Sequence, residues 1–165
     1  MAEVKRPTLP LTGGCSCGAV RYEIATMPIA IYACHCTDCQ RRSGSAFALN
    51  VPVRAASLRI VKGSPKGWHT TSLSGVAATA WFCGDCSVRL YGERKDGLDV
   101  LTVRAGTLDD TSWVRPAAHY YMRSAQPWET ISGEAKCYDT FPTDVPEIHA
   151  IIAAWRTMMG VSPNY

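Results

Sequence analysis

Apolar and polar positions along the chain divide it into two unlike parts. Ala19 to Ile24 largely alternates apolar with polar residues, the period of a half-buried strand. Met27-Pro28 breaks that run, and Ile29 to Ala33 predicts a second strand leading into Cys34. Asp38 to Ser43 predicts about a turn and a half of helix, stopped by Gly44. Ala46 to Val53 predicts a strand whose Pro52 points to an edge or a strand end. Further short strands are expected at 58–61, 76–82, 88–91, 100–104 and 119–122, separated by Gly, Pro, Ser and Asp clusters. Near the C-terminus the period changes. Ile148, Ile151, Ile152, Trp155 and Met159 draw one apolar stripe at helical spacing, with Asp144 as cap and Pro146 in the first turn. The expected class is mainly β with one C-terminal α-helix. Residues 1–13, with Pro7 and Pro10, read as a flexible arm, and residues 14–165 as a single domain.

Composition narrows the function classes. At 165 residues the chain suffices for one core. Its 47% apolar content is that of a globular protein. A formal net charge of +3, with no basic block longer than Arg41-Arg42 beside a cysteine cluster, argues against a nucleic-acid partner. No apolar run is long enough for a membrane span, and residues 1–14 lack a secretory pattern. A cytoplasmic, reducing compartment is therefore expected, and in it the eight cysteines would be thiols.

Seven of those cysteines are grouped. Cys15 and Cys17 form C-x-C, Cys34, Cys36 and Cys39 form C-x-C-x-x-C, and Cys83 and Cys86 form C-x-x-C, while Cys137 stands alone. Close pairs let one tight turn aim two thiolates at one ion, and thiolate sets select zinc over hard cations. The two pairs sum to a closed set of four, which is a structural site. The triplet leaves a position open, which is a catalytic one. Spacing alone leaves other groupings open, such as Cys15/Cys17 with Cys34/Cys36, and His35 as a ligand. Disulfides conflict with the expected compartment, and the spacings differ from ferredoxin cluster runs. Cys137 reads as a small buried apolar residue.

The same residues resemble a known family. Gly14-Cys15-Ser16-Cys17-Gly18, Val20-Arg21-Tyr22, Cys34-His35-Cys36-Thr37-Asp38-Cys39-Gln40, Ser43-Gly44-Ser45-Ala46-Phe47, Phe82-Cys83-Gly84-Asp85-Cys86 and Ala105 to Asp110, followed by Pro116, His119, Ser124 and Pro127-Trp128, are similar to the glutathione-dependent formaldehyde-activating enzyme (GFA) family, which shares its domain with a centromere-associated protein. The resemblance implies a β-tent of small twisted sheets around zinc. It implies a structural zinc on Cys15, Cys17, Cys83 and Cys86, and a labile one on Cys34, Cys36 and Cys39. The implied reaction joins glutathione to formaldehyde, a carbon–sulfur lyase reaction run backwards. An open three-thiolate site would hold the substrate thiol as thiolate, with the triplet as the catalytic group. Three cysteinates make zinc a weak Lewis acid, so thiol delivery is expected rather than water activation. Arg41 or Arg42 would pair with a carboxylate of a peptide-like thiol, and His119 and Trp128 would line the pocket. Two departures bear on substrate identity. Ser87-Val88-Arg89 stands where the family usually has Gly and a small hydroxyl residue, and Gln40 stands where it usually has Arg. Two other readings compete with the enzyme: a non-catalytic zinc-stabilised binding module, and a metal-free thiol reductase.

Overall fold

The structure is a computed structural model that describes residues 5–72, 75–131, 133 and 135–162. Among the described residues, eleven strands form two sheets, and one long helix closes the chain. The fold is mainly β with a C-terminal helix. The smaller sheet has the order β1 (Leu11–Gly14), β2 (Arg21–Ile24), β5 (Leu58–Lys62) and is antiparallel. The larger adds β3 (Tyr32–Cys34), β4 (Ala48–Arg54), β6 (Lys66–Thr71), β7 (Ala77–Phe82), β8 (Arg89–Arg94), β9 (Val100–Arg104), β10 (Ala118–Tyr120) and β11 (Lys136–Tyr138), in the order β11-β10-β3-β4-β9-β8-β7-β6. Its pairings are antiparallel except at β10, which runs parallel to both neighbours.

The alternating run expected at Ala19–Ile24 becomes β2, with Tyr22 and Ile24 fully buried and Arg21 and Glu23 turned outward. Pro52 lies inside a sheet, yet its neighbour β3 has already ended there. Ile29 N–H donates to the Pro52 carbonyl on that side, so no ladder needs the absent Pro52 N–H. The arm ends sooner than residue 13, because Leu11–Gly14 pairs with β2 and Leu11 is buried. Gly13 and Gly14 hid this strand, since glycine carries little β signal. Gly13 is needed for close approach: a Cβ there would come within 2.4 Å of both the Thr107 carbonyl and the Tyr22 hydroxyl. The other strands that periodicity missed, β6 and β11, are sheet edges. β6 is exposed along most of its length and so has no alternating burial to reveal it.

Helix α1 (Thr37–Ser43) stops at Gly44 in the left-handed region, φ 64°. Helix α2 (Val145–Met158) has Asp144 as N-cap, accepting from the Glu147 N–H at 3.1 Å. Ile152, Trp155 and Met159 enter the main core, and Ile151 packs with Ala118 and Tyr120. Trp155 is buried but not orphaned, since Nε1–H donates to the Arg115 carbonyl at 2.9 Å.

Candidate metal centres

All eight cysteines are free, and seven fall into two clusters. Cys15 and Cys17 sit on the turn joining β1 to β2, and Cys83 and Cys86 on the turn joining β7 to β8. One cluster thus clips a hairpin of the small sheet to a hairpin of the large one. The two turns are alike. Cys15 N–H donates to the Val20 carbonyl and Cys83 N–H to the Val88 carbonyl, and each turn has a left-handed residue directly after its second cysteine. These are Gly18 at φ 73° and Ser87 at φ 62°. Ser87 stands where the resembled family usually has glycine, so it holds a conformation that costs a side-chain-bearing residue about 1–2 kcal/mol. The Val20 N–H reaches Cys15 Sγ at 3.2 Å.

The second cluster is built by a strand end and a helix start. Cys34 closes β3, Cys36 is the N-cap of α1, and Cys39 lies in its first turns, its N–H donating to Cys36 Sγ at 3.4 Å. His35 stays outside the sulfur set. Its ring turns the other way, completely buried, with Nε2 2.9 Å from His119 Nδ1 and Nδ1 3.2 Å from Glu129 Oε2. The grouping left open by spacing is therefore four plus three, without His35.

The donor geometry fits zinc. The sulfurs of each cluster lie within 4.8 Å of one another. Cys15–Cys17 is 3.5 Å, Cys17–Cys83 3.7 Å and Cys34–Cys36 3.4 Å. A tetrahedral zinc with Zn–S bonds of about 2.3 Å would separate its sulfurs by about 3.8 Å. Charge crowding points the same way. Hydrogen bonding with Cys36 and Cys39 pushes the Cys34 thiol far above its usual value. The same contacts with Cys34 and Cys36, aided by Arg104, hold Cys39 well below its own. Thiols this close cannot ionise together unless a cation joins them.

The surroundings of the triplet are polar and cationic. Arg104 Nη1–H donates to Asn50 Oδ1 at 2.5 Å. Arg42 lies 3.7 Å from Asp38, donates to Thr70 Oγ1 at 3.3 Å and stands over the Trp68 ring at 5.6 Å. Arg89 has Nε and Nη1 buried without a hydrogen-bond partner, and burial, together with Arg104 and Arg42, pushes its pKa down to about 9. Tyr121 holds a left-handed backbone, φ 62°, and its phenol is raised by burial and then by the charges of Cys34 and Cys36. Gln40 fastens the loop after β10 to the cluster. Its Nε2 donates to the carbonyls of His35 (2.6 Å) and Ser124 (2.7 Å), and its Oε1 accepts from Gln126 (2.8 Å).

Of the residues expected at a pocket, Arg42 is partly buried against Asp38, Thr70 and Trp68, whereas Arg41 is exposed. His119 is buried behind the cluster against His35, and burial lowers its pKa. Trp128 is 72% exposed. Cys137, expected to be buried, is exposed on β11, a correction that follows from its place on an edge strand. Arg104, Tyr121 and Glu129 carried no sequence signal. Arg89 carried one, as part of the departure at Ser87-Val88-Arg89.

The model of the glutathione-dependent formaldehyde-activating enzyme family matches residues 10–124, well over half of the chain. The chain belongs to that family. A Halomonas elongata relative that carries this enzyme name provisionally is 22% identical over 159 residues, covering 92% of this chain and 97% of its own. A Sordaria macrospora relative of the same provisional name is 28% identical over 96 residues, covering 54% of this chain and 40% of its own. A crystal structure of a Rhodobacter sphaeroides protein is similar at 26% identity with a TM-score of 0.49, covering 64% of this chain and 91% of that one. As a GFA family member, the chain presents all seven grouped cysteines in two compact sets. No helix among the described residues is long and apolar enough to cross a membrane.

Proposed function

We propose that this protein is a zinc-dependent enzyme of the carbon–sulfur lyase type, acting in the cytoplasm on the adduct of a small thiol with an aldehyde. Glutathione and formaldehyde are the substrates named for its relatives. The observation that carries this reading is the pair of unequal sulfur clusters, one of four thiols and one of three. Cys15, Cys17, Cys83 and Cys86 would fill the coordination shell of a structural zinc, and Cys34, Cys36 and Cys39 would leave one position of a second zinc for the substrate. Zinc there would supply a thiolate at neutral pH, as metals do for thiols they bind.

The chain's own residues supply the rest. The substrate thiol releases its proton to solvent and its sulfur adds to the carbonyl carbon: a C–S bond forms, the C=O π pair moves to oxygen, and that oxygen takes a proton back from solvent, so that no net proton is gained or lost. Tyr121, whose phenol feels the charges of Cys34 and Cys36, would be the donor to the developing oxyanion. Arg104 offsets the negative charge of Cys39. The His35–His119 contact, with Gln40 and Ser124 donating to the His35 carbonyl, would hold the loop that bears Cys34 and Cys36, so that the sulfurs keep their aim. Run backwards, the same steps break the C–S bond.

Metal analysis with thiol titration tests the reading. Gently purified protein should carry two zinc ions per chain and the Cys36→Ala variant one. Glutathione should change the sulfur shell of one zinc in X-ray absorption, and formaldehyde should be consumed only when thiol is present. Unchanged metal content and unchanged thiol binding in Cys36→Ala would sink it. Loss of stability without any thiol response would favour the binding module instead.

A further inference from the structure

The triplet accounts for the sulfur end of a substrate and leaves a group of guanidiniums unexplained. Arg104 on β9 lies opposite Asn50 of β4, and Asn50 lies opposite Tyr32, two residues before Cys34, so Cys34 and Arg104 share one face of the large sheet. Gly92 of β8 lies opposite Thr102, on that same face. The register shift at Trp81/Phe82 leaves Leu90 as an extra residue, which brings Arg89 onto the face of Gly92. The missing side chain of Gly92 is where Arg89 rests, since a Cβ there would meet its Nη2 at 3.1 Å. Arg42 approaches from α1 across Trp68 and Thr70. The partners are unequal. Arg42 has Asp38 and Arg104 has Asn50, but Arg89 buries Nε and Nη1 against nothing. A buried guanidinium without an acceptor is costly, and its planar fork is shaped for a carboxylate.

We propose that Arg89 and Arg104, with Arg42 at the rim, form the subsite that takes a substrate carboxylate beside the Cys34/Cys36/Cys39 cluster, with Arg89 as its specificity-determining residue. This rests on the thiol reading above. Charge neutralisation of the thiolates alone would need the cations but would leave the inward N–H groups of Arg89 unanswered, whereas a carboxylate satisfies both.

The test is calorimetric titration of zinc-loaded wild type, Arg89→Gln and Arg89→Lys with three probes: glutathione, uncharged 2-mercaptoethanol, and S-methylglutathione, which keeps the carboxylates but blocks the sulfur. Arg89→Gln should weaken glutathione at least tenfold and leave 2-mercaptoethanol within twofold, with Arg89→Lys in between. S-methylglutathione should retain binding that depends on Arg89. The melting temperature should hold or rise in both variants, because Arg89 has no partner to lose at Nε and Nη1. Equal weakening of both thiols, or a lowered melting temperature in both variants, overturns the subsite. If 2-mercaptoethanol binds and Arg89 leaves glutathione unaffected, the subsite fails and the thiol reading survives. If neither thiol reaches the metal while S-methylglutathione binding depends on Arg89, the thiol reading fails and the subsite survives. If none of the three binds, both fail.

Discussion

The two sulfur clusters use the same element and differ in almost everything around it. The four-thiol set is lined mainly by backbone and core, with Arg21 and Lys66 lying along its turns. Cys15 and Cys83 belong to the main apolar core, and the near donors are the N–H groups of Val20, Ala19 and Val88. The three-thiol set is surrounded by side chains with their own chemistry: three arginines, a phenol held in a left-handed turn, and a buried histidine pair. A cluster dressed by charged and donating side chains can discriminate among ligands. Cysteine count marked the contrast between closed and open, and the second layer of residues reinforces it.

The largest effect expected is at the four-thiol cluster. Cys83→Ser removes a ligand from a site that clips two hairpins together, so the protein should lose cooperative thermal unfolding by circular dichroism or melt far lower. Structural zinc is worth about 10 kcal/mol in small zinc domains, and part of that should vanish. Cys36→Ala at the other cluster should lose its zinc equivalent yet stay folded, at a cost of about 1 kcal/mol for the lost helix cap. If Cys36→Ala unfolds as readily as Cys83→Ser, the two clusters are not different in kind.

A gain in stability is expected at the same turn. Ser87→Gly relieves the left-handed strain at φ 62° and should stabilise by about 1 kcal/mol in denaturant unfolding, while thiol binding at the triplet stays unchanged. Destabilisation would mean that the Ser87 side chain contributes something the turn geometry does not show.

The smallest effect is acid sensitivity at Asp109, remote from the triplet. Hydrogen bonds from Arg21 and then from Thr12 hold its pKa below the ordinary value of 3.8, so the folded state binds its proton less readily than the unfolded chain. The resulting stability is fully present above the unfolded value and is lost as pH falls through the lower folded one. Because the side chain is 45% exposed, solvent screening limits the effect to a few tenths of a kcal/mol. Asp109→Asn should flatten the acid limb of the melting profile below about pH 4 by that amount. An acid limb that stays as steep would assign it to other carboxylates.

Much was legible because it is local. The cysteine pairs, the stop at Gly44, the cap at Asp144 and the apolar stripe of α2 depend on residues within a few positions of one another, and each stands where the pattern put it. Edge strands were illegible, since β6 has no buried face to impose a period. His35 shows the limit within a motif. Its neighbours form the cluster, and only the packing of His119 and Glu129 decided that its ring turns away.

The sequence by itself determined that seven cysteines would be grouped at spacings able to hold a metal, and that a β domain with one C-terminal helix would carry them. Tertiary structure alone decided which turns meet. Cys17 and Cys83 are 66 residues apart and touch only because two hairpins of different sheets are brought together. Arg89 and Arg104 come from two strands and share a face through strand register and one bulge, and Arg42 approaches from a helix over Trp68 and Thr70. Turn chemistry is written in neighbouring residues. Convergence depends on how strands pair across the sheet, which no short stretch of chain encodes.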